Sequence, residues 1–184
     1  MRRAQVALTL ALVAAVGAGC GDEDDPGQAE TASWTVPQDG FCDDVVAEAG
    51  LDGDVEETVS GDDEDTTAAC TLLTGPSRVD LVVRVADQAG DQYELSLAEL
   101  EDGVTGFAEP EVSEPDGWWS EGARFEAVEN DSVRLTDLLL DDTLVVRLQL
   151  VDTPESGEPA ARQAAARDLA DALDGAVASV LESS

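Results

Sequence analysis

The apolar positions of this chain follow two periods, helical and alternating, and the period changes at turn residues. Phe41, Cys42, Val45, Val46 and Ala49 recur at helical spacing and stop at Gly50, which predicts a short helix over 40–49. Val55, Glu57 and Val59 alternate in a strand candidate over 55–60, and Ala68, Cys70 and Leu72 alternate in a second. The cleanest alternation is Val79, Leu81, Val83 and Val85, a strand over 78–85. Asp91 with Glu94 has the form of a capping box and opens a helix through Leu100, with Tyr93, Leu97 and Leu100 on one face. Pro110 and Pro115 mark a long loop with room for a short edge strand. Strand patterns over 123–129, 132–140 and 143–151 are separated by Asn130-Asp131 and Asp141-Asp142, which predicts an antiparallel meander. Pro159 opens the longest pattern, a helix to Leu181. Its expected apolar face is Ala165, Leu169, Ala172, Leu173, Ala176, Val177, Val180 and Leu181, with Arg162, Asp168, Asp171 and Asp174 off that face. The expected fold is therefore α+β: an antiparallel sheet packed by a short N-terminal helix, a middle helix and a long C-terminal helix.

The first residues follow neither rule. Arg2 and Arg3 precede an apolar run from Val6 to Val16, and Gly17-Ala18-Gly19 places small residues directly before Cys20. That is the anatomy of a cleavable export signal, too short for a comfortable membrane span. The Ala18-Gly19-Cys20 ending resembles a bacterial lipobox, so residues 1–19 are expected to be removed and Cys20 to be acylated with palmitate-type chains. Residues 20–38 are acidic and aperiodic, expected to form a flexible tether of about 23 Å root-mean-square span. Trp34 and Val36 are its only large apolar residues and are candidates for docking on the domain. Residues 39–184 read as a single extracytoplasmic domain, secreted and held on the outer face of the cell membrane.

Charge narrows the range of partners. All 42 acidic residues follow Cys20 and face only seven arginines there, a formal charge of −35 before termini are counted. Such a field repels nucleic acid and anionic lipid headgroups. Lysine and histidine are absent, which removes amine nucleophiles, the commonest general base and the commonest metal ligand. No acidic run matches a calcium-binding loop, so weak, non-specific cation binding is expected, with no metal site and no cofactor. Carboxylate pairs abound by chance alone, and no catalytic residue is singled out. The sequence points away from an enzyme, and a carboxylate enzyme would need two perturbed acids converging in a cleft.

Cys42 and Cys70 remain as a pair once Cys20 is acylated, and in an exported domain they are expected to form a structural disulfide between the first helix and a strand. Trp118-Trp119 is the other local feature. On a strand, neighbours point to opposite faces, so at most one ring is expected in a given core, leaving the other to cover an edge or offer a stacking surface.

These residues together resemble the actinobacterial secreted lipoproteins that carry a domain of unknown function. The likeness rests on Cys20, the Gly21-rich tail, Phe41-Cys42 and Cys70-Thr71-Leu72-Leu73. It implies a terminal helix laid on an antiparallel sheet in a layered arrangement, and it implies no catalytic residues. The leading expectation is a membrane-anchored, non-enzymatic binding or cell-envelope protein. The alternative is a small-molecule or lipid carrier with an apolar pocket between helix and sheet.

Overall fold

Two meanders build the sheet. The first comprises β1 (Asp54–Gly61), β2 (Asp65–Thr74) and β3 (Ser77–Ala86), and the second β4 (Glu111–Ser113), β5 (Glu121–Glu129), β6 (Ser132–Asp141) and β7 (Leu144–Asp152). The computed structural model describes residues 34–62, 65–103, 110–152 and 157–182. The strand order is β1-β2-β3-β7-β6-β5-β4, with every pair antiparallel. The last strand thus returns to lie beside the third, with Val83 opposite Val146. Asn130 and Asp131 both take positive φ, 50° and 62°, as a two-residue hairpin turn requires. Every strand pattern read from the sequence is a strand, and the loop between the prolines does contain a short edge strand.

Period-two alternation divides the side chains between two faces. On one face Cys70, Leu72, Leu81, Val83, Leu139, Val146 and Leu148 form the main core beneath α1 (Phe41–Glu48) and α3 (Pro159–Glu182). On the other, Phe125, Leu138, Leu140 and Val145 pack a smaller core against Ala89, Tyr93 and Leu100 of α2 (Ala89–Glu101). The architecture is α+β with helices on both sides of a seven-stranded antiparallel sheet. Full burial of each large aliphatic side chain contributes about 1.5–3 kcal/mol, so the α1/α3 face carries most of the fold.

Two local expectations are corrected, and the docking expected of Trp34 and Val36 is observed. The middle helix begins at Ala89 with Gln88 as N-cap and no side-chain capping bond, so Asp91 lies inside its first turn and no capping box forms. There its charge still complements the helix dipole. The buried stripe of α3 runs through Ala166, Ala170, Leu173, Asp174, Val177 and Leu181, while Ala165 and Ala172 face solvent. Asp174 therefore lies in the core and not off it. Segment 34–38 belongs structurally with the domain: Trp34 is buried, and Thr35 donates from both its backbone N–H (3.4 Å) and its hydroxyl (2.6 Å) to the carbonyl of Leu181. That satisfies an acceptor in the last turn of α3, where intrahelical partners run out. Among the described residues no helix is long and apolar enough to cross a membrane. The export signal, Cys20 and most of the tether lie outside the described residues.

Candidate functional site

Cys42 and Cys70 are joined, with Cα atoms 5.7 Å apart. Cys42 lies on the buried stripe of α1 and Cys70 on the inward face of β2, so the bridge is sealed in the main core. The helix is also held at its N-terminus by β1. The Glu57 carboxylate accepts the backbone N–H groups of Gly40 at 2.8 Å and Cys42 at 2.7 Å, where α1 has no capping side chain of its own. An anion at a helix start is favourable electrostatically as well as through its hydrogen bonds. The bridge and the carboxylate act as a double clamp on α1.

Trp118 and Trp119 precede β5 and are not on a strand, so the alternation rule does not separate them. Both pack against the main core, which overturns the expectation that at most one would enter it. Trp34 and Trp118 have ring centroids 4.9 Å apart, and Trp118 and Trp119 5.7 Å in an edge-on arrangement. Each indole N–H has an internal acceptor: Asp141 Oδ2 for Trp34 (3.2 Å), the Asp174 carbonyl for Trp118 (3.0 Å) and the Pro115 carbonyl for Trp119 (3.1 Å). The Trp119 ring lies over Gly117 and Gly122, where an added Cβ would come within 2.1 Å and 2.7 Å of it. Aromatic rings in such contact stabilise beyond their area burial. Together the three tryptophans pin the entering chain, the loop before β5 and α3.

On the other side of Trp34 lies an open groove of about 570 Å³, lined by Trp34, Thr35, Val36, Phe41, Val180 and Leu181 with Asp39 and Asp44 at its rim. A second open hollow of about 430 Å³ adjoins Val36–Asp39 and the β1–β2 end. The void between α1, α3 and the sheet is only about 10 Å³. That is barely room for one water.

The most perturbed chemistry lies where the sequence showed none. Arg124 on β5 forks onto Asp137 of β6, Nε to Oδ1 at 2.7 Å and Nη2 to Oδ2 at 2.5 Å, and reaches the exposed Asp171 at 2.7 Å. Asp137 has no exposed surface and Asp174 about 1%. Burial, then the negative charge of Asp137, holds the Asp174 carboxyl well above the usual carboxylate range. Burial raises Asp137 too, but the Arg124 fork opposes it. Burial beside the Asp137 charge therefore favours the neutral form of Asp174. As a carboxylate Asp174 would have no donor for either oxygen. Two convergent perturbed acids thus exist, but they are sealed from solvent and locked to an arginine. They fasten α3 to the sheet. A signal for Asp174 was present in its spacing, four residues after Ala170 and three before Val177, on the stripe that α3 buries. Among the described residues no three His, Cys, Asp or Glu side chains are grouped to hold a metal ion.

No protein-family model matches this chain, and no curated protein is significantly similar to it.

Proposed function

We propose that this chain is an extracytoplasmic lipoprotein of the secreted actinobacterial type, anchored through acyl chains on Cys20 and displaying a non-enzymatic binding domain at the cell envelope. The observation that supports this most is the buried Cys42–Cys70 bridge, a bond that forms and persists in oxidising compartments outside the cytoplasm. The N-terminal Ala18-Gly19-Cys20 pattern supplies the anchor, and the acidic stretch after it supplies the tether. Trp34 is docked on the domain, so the proposed tether ends before it. The carrier reading finds no support between helix and sheet, where a void of about 10 Å³ admits no acyl chain.

The test is a Cys20→Ser chain expressed in a host that acylates lipoproteins and is fed labelled palmitate. The native chain takes up label and sediments with membranes, and the variant does neither. An unmodified Cys20 in the mature native protein overturns the reading.

A further inference from the structure

Five of the seven arginines beyond residue 20 are tied to carboxylates: Arg78 to Asp80, Arg84 to Asp65, Arg124 to Asp137 and Asp171, Arg162 to Asp152, and Arg167 to Glu126. Among the described residues Arg134 and Arg147 have no such partner. With 42 acids in the chain, an arginine left without a carboxylate is the exception.

Both stand on the α2 side of the sheet, each half-buried. Arg134 of β6 lies opposite Ala127 and Val151, and Arg147 of β7 lies opposite Leu138 and Val82. Between them is the cross-strand pair Thr136–Gln149, two residues along β6 from Arg134 and two along β7 from Arg147. The arginines therefore flank that pair on opposite diagonals, their Cα atoms about 14 Å apart by strand geometry. The Nε atoms of both arginines and the hydroxyl of Thr136 are shielded from water without a hydrogen-bond partner, and Thr136 is only 1% exposed. Arginine stems can simply cover a sheet. That accounts for the half-burial of Arg134 and Arg147 but not for an unpaired, buried threonine hydroxyl between them, since buried polar groups are normally satisfied. The nearest acid across the sheet, Asp80 opposite Gln149, is already occupied by Arg78 and Thr71.

We propose that this sheet face binds a phosphate group, held between the Arg134 and Arg147 guanidinia over the Thr136–Gln149 pair. In register the two arginines stand on opposite diagonals of a pair that offers a hydroxyl and an amide between them. A tetrahedral anion presents oxygens in all those directions, whereas a planar carboxylate satisfies one fork. The strongly acidic surface repels long polyanions, so the ligand is a small molecule or free phosphate rather than a nucleic acid.

The experiment is thermal denaturation and calorimetric titration of the full chain in non-ionic detergent, with inorganic phosphate, glycerol phosphate, acetate and chloride at matched ionic strength. Saturable stabilisation by inorganic phosphate, by glycerol phosphate or by both is expected, and the stronger of the two identifies free phosphate or a phosphoester as the source. Arg134→Gln and Arg147→Gln should each weaken binding about tenfold, the usual effect of losing a charge-assisted contact. Arg84→Gln removes the same charge from the same face and frees only Asp65, two strands from Gln149, so it should leave binding unchanged. Thr136→Val keeps shape and charge and should weaken phosphate without altering the chloride response. The proposal is overturned if phosphate acts no differently from chloride, if acetate binds as well, or if Arg84→Gln weakens binding as much as Arg147→Gln.

Discussion

The two faces of the sheet solve the same problem differently. Under α1 and α3 the apolar residues are continuous, and polar groups admitted there are paired, Glu57 with the start of α1 and Arg124 with Asp137. Under α2 the core is small, and beyond it the sheet carries threonines, arginines and glutamine at the border of solvent. The closed face ties its arginines, Arg124, Arg162 and Arg167, to carboxylates. On the open face Arg78 and Arg84 reach exposed carboxylates, whereas Arg134 and Arg147 have no carboxylate partner among the described residues; on the closed face Arg162, whose Nε also lacks a hydrogen bond, still faces Asp152.

Substitutions can break that contrast. The largest effect is expected from Asp137→Ala, which strands Arg124 in the core. Loss of one partner of a buried ion pair costs about 3–5 kcal/mol. On the open face, Asp80→Ala removes a solvent-screened pair and should cost no more than about 1 kcal/mol. Denaturant unfolding of the two variants measures the difference, and equal losses would erase the distinction between the faces. Next comes Cys42→Ala with Cys70→Ala, which frees a 28-residue separation. The chain-entropy account puts that loss at about 3.6 kcal/mol. Phosphate affinity, belonging to the other face, should persist wherever the double variant remains folded.

The smallest effect sharpens the comparison through pH. Asp174 ionises at higher pH in the folded chain than when unfolded, so between those points the native state holds the extra proton. Its contribution to stability is therefore complete below the ordinary aspartate range and falls as pH rises towards the raised value. The slope is at most about 1.4 kcal/mol per pH unit. Asp80, held below its ordinary value by Arg78, acts oppositely, and its smaller contribution fades in acid. Asp174→Asn keeps the shape and should remove the downward slope. Thermal midpoints from pH 4 to 9 for both chains check this, and parallel curves would place the proton elsewhere.

Much of the fold was readable because alternation and helical spacing depend on local chemistry. Val79 to Val85, the meander turns and the Phe41 helix all declared themselves. The order of strands did not, since nothing local to β3 indicates that its second neighbour is β7. The acid cluster was hidden for a related reason. Asp174 was assigned to solvent by its charge, and only its apposition to Asp137 and Arg124 permits a neutral, buried form. The tryptophans misled through an assumed strand. Once Trp118 and Trp119 lie in the loop before β5, both can turn to one side. Arg134 and Arg147 look like ordinary outward residues in the sequence, and their want of a carboxylate partner emerges only when the described residues are placed in space.

The pairing of β3 with β7 also orders events in time. Each meander consists of hairpins between neighbours in sequence, contacts that form on a microsecond scale. The seam between them joins distant residues, as in the Ser77–Asp152 contact across 75 positions, and closes the longest loop of any strand pair in the sheet. Non-local pairing of this kind is the slow part of folding. Until β7 arrives, β3 waits with an apolar, unpaired edge, open to the same strand of another copy. A chain released without its last strands is therefore expected to aggregate through β3, while α3, arriving after the seam, covers the completed sheet.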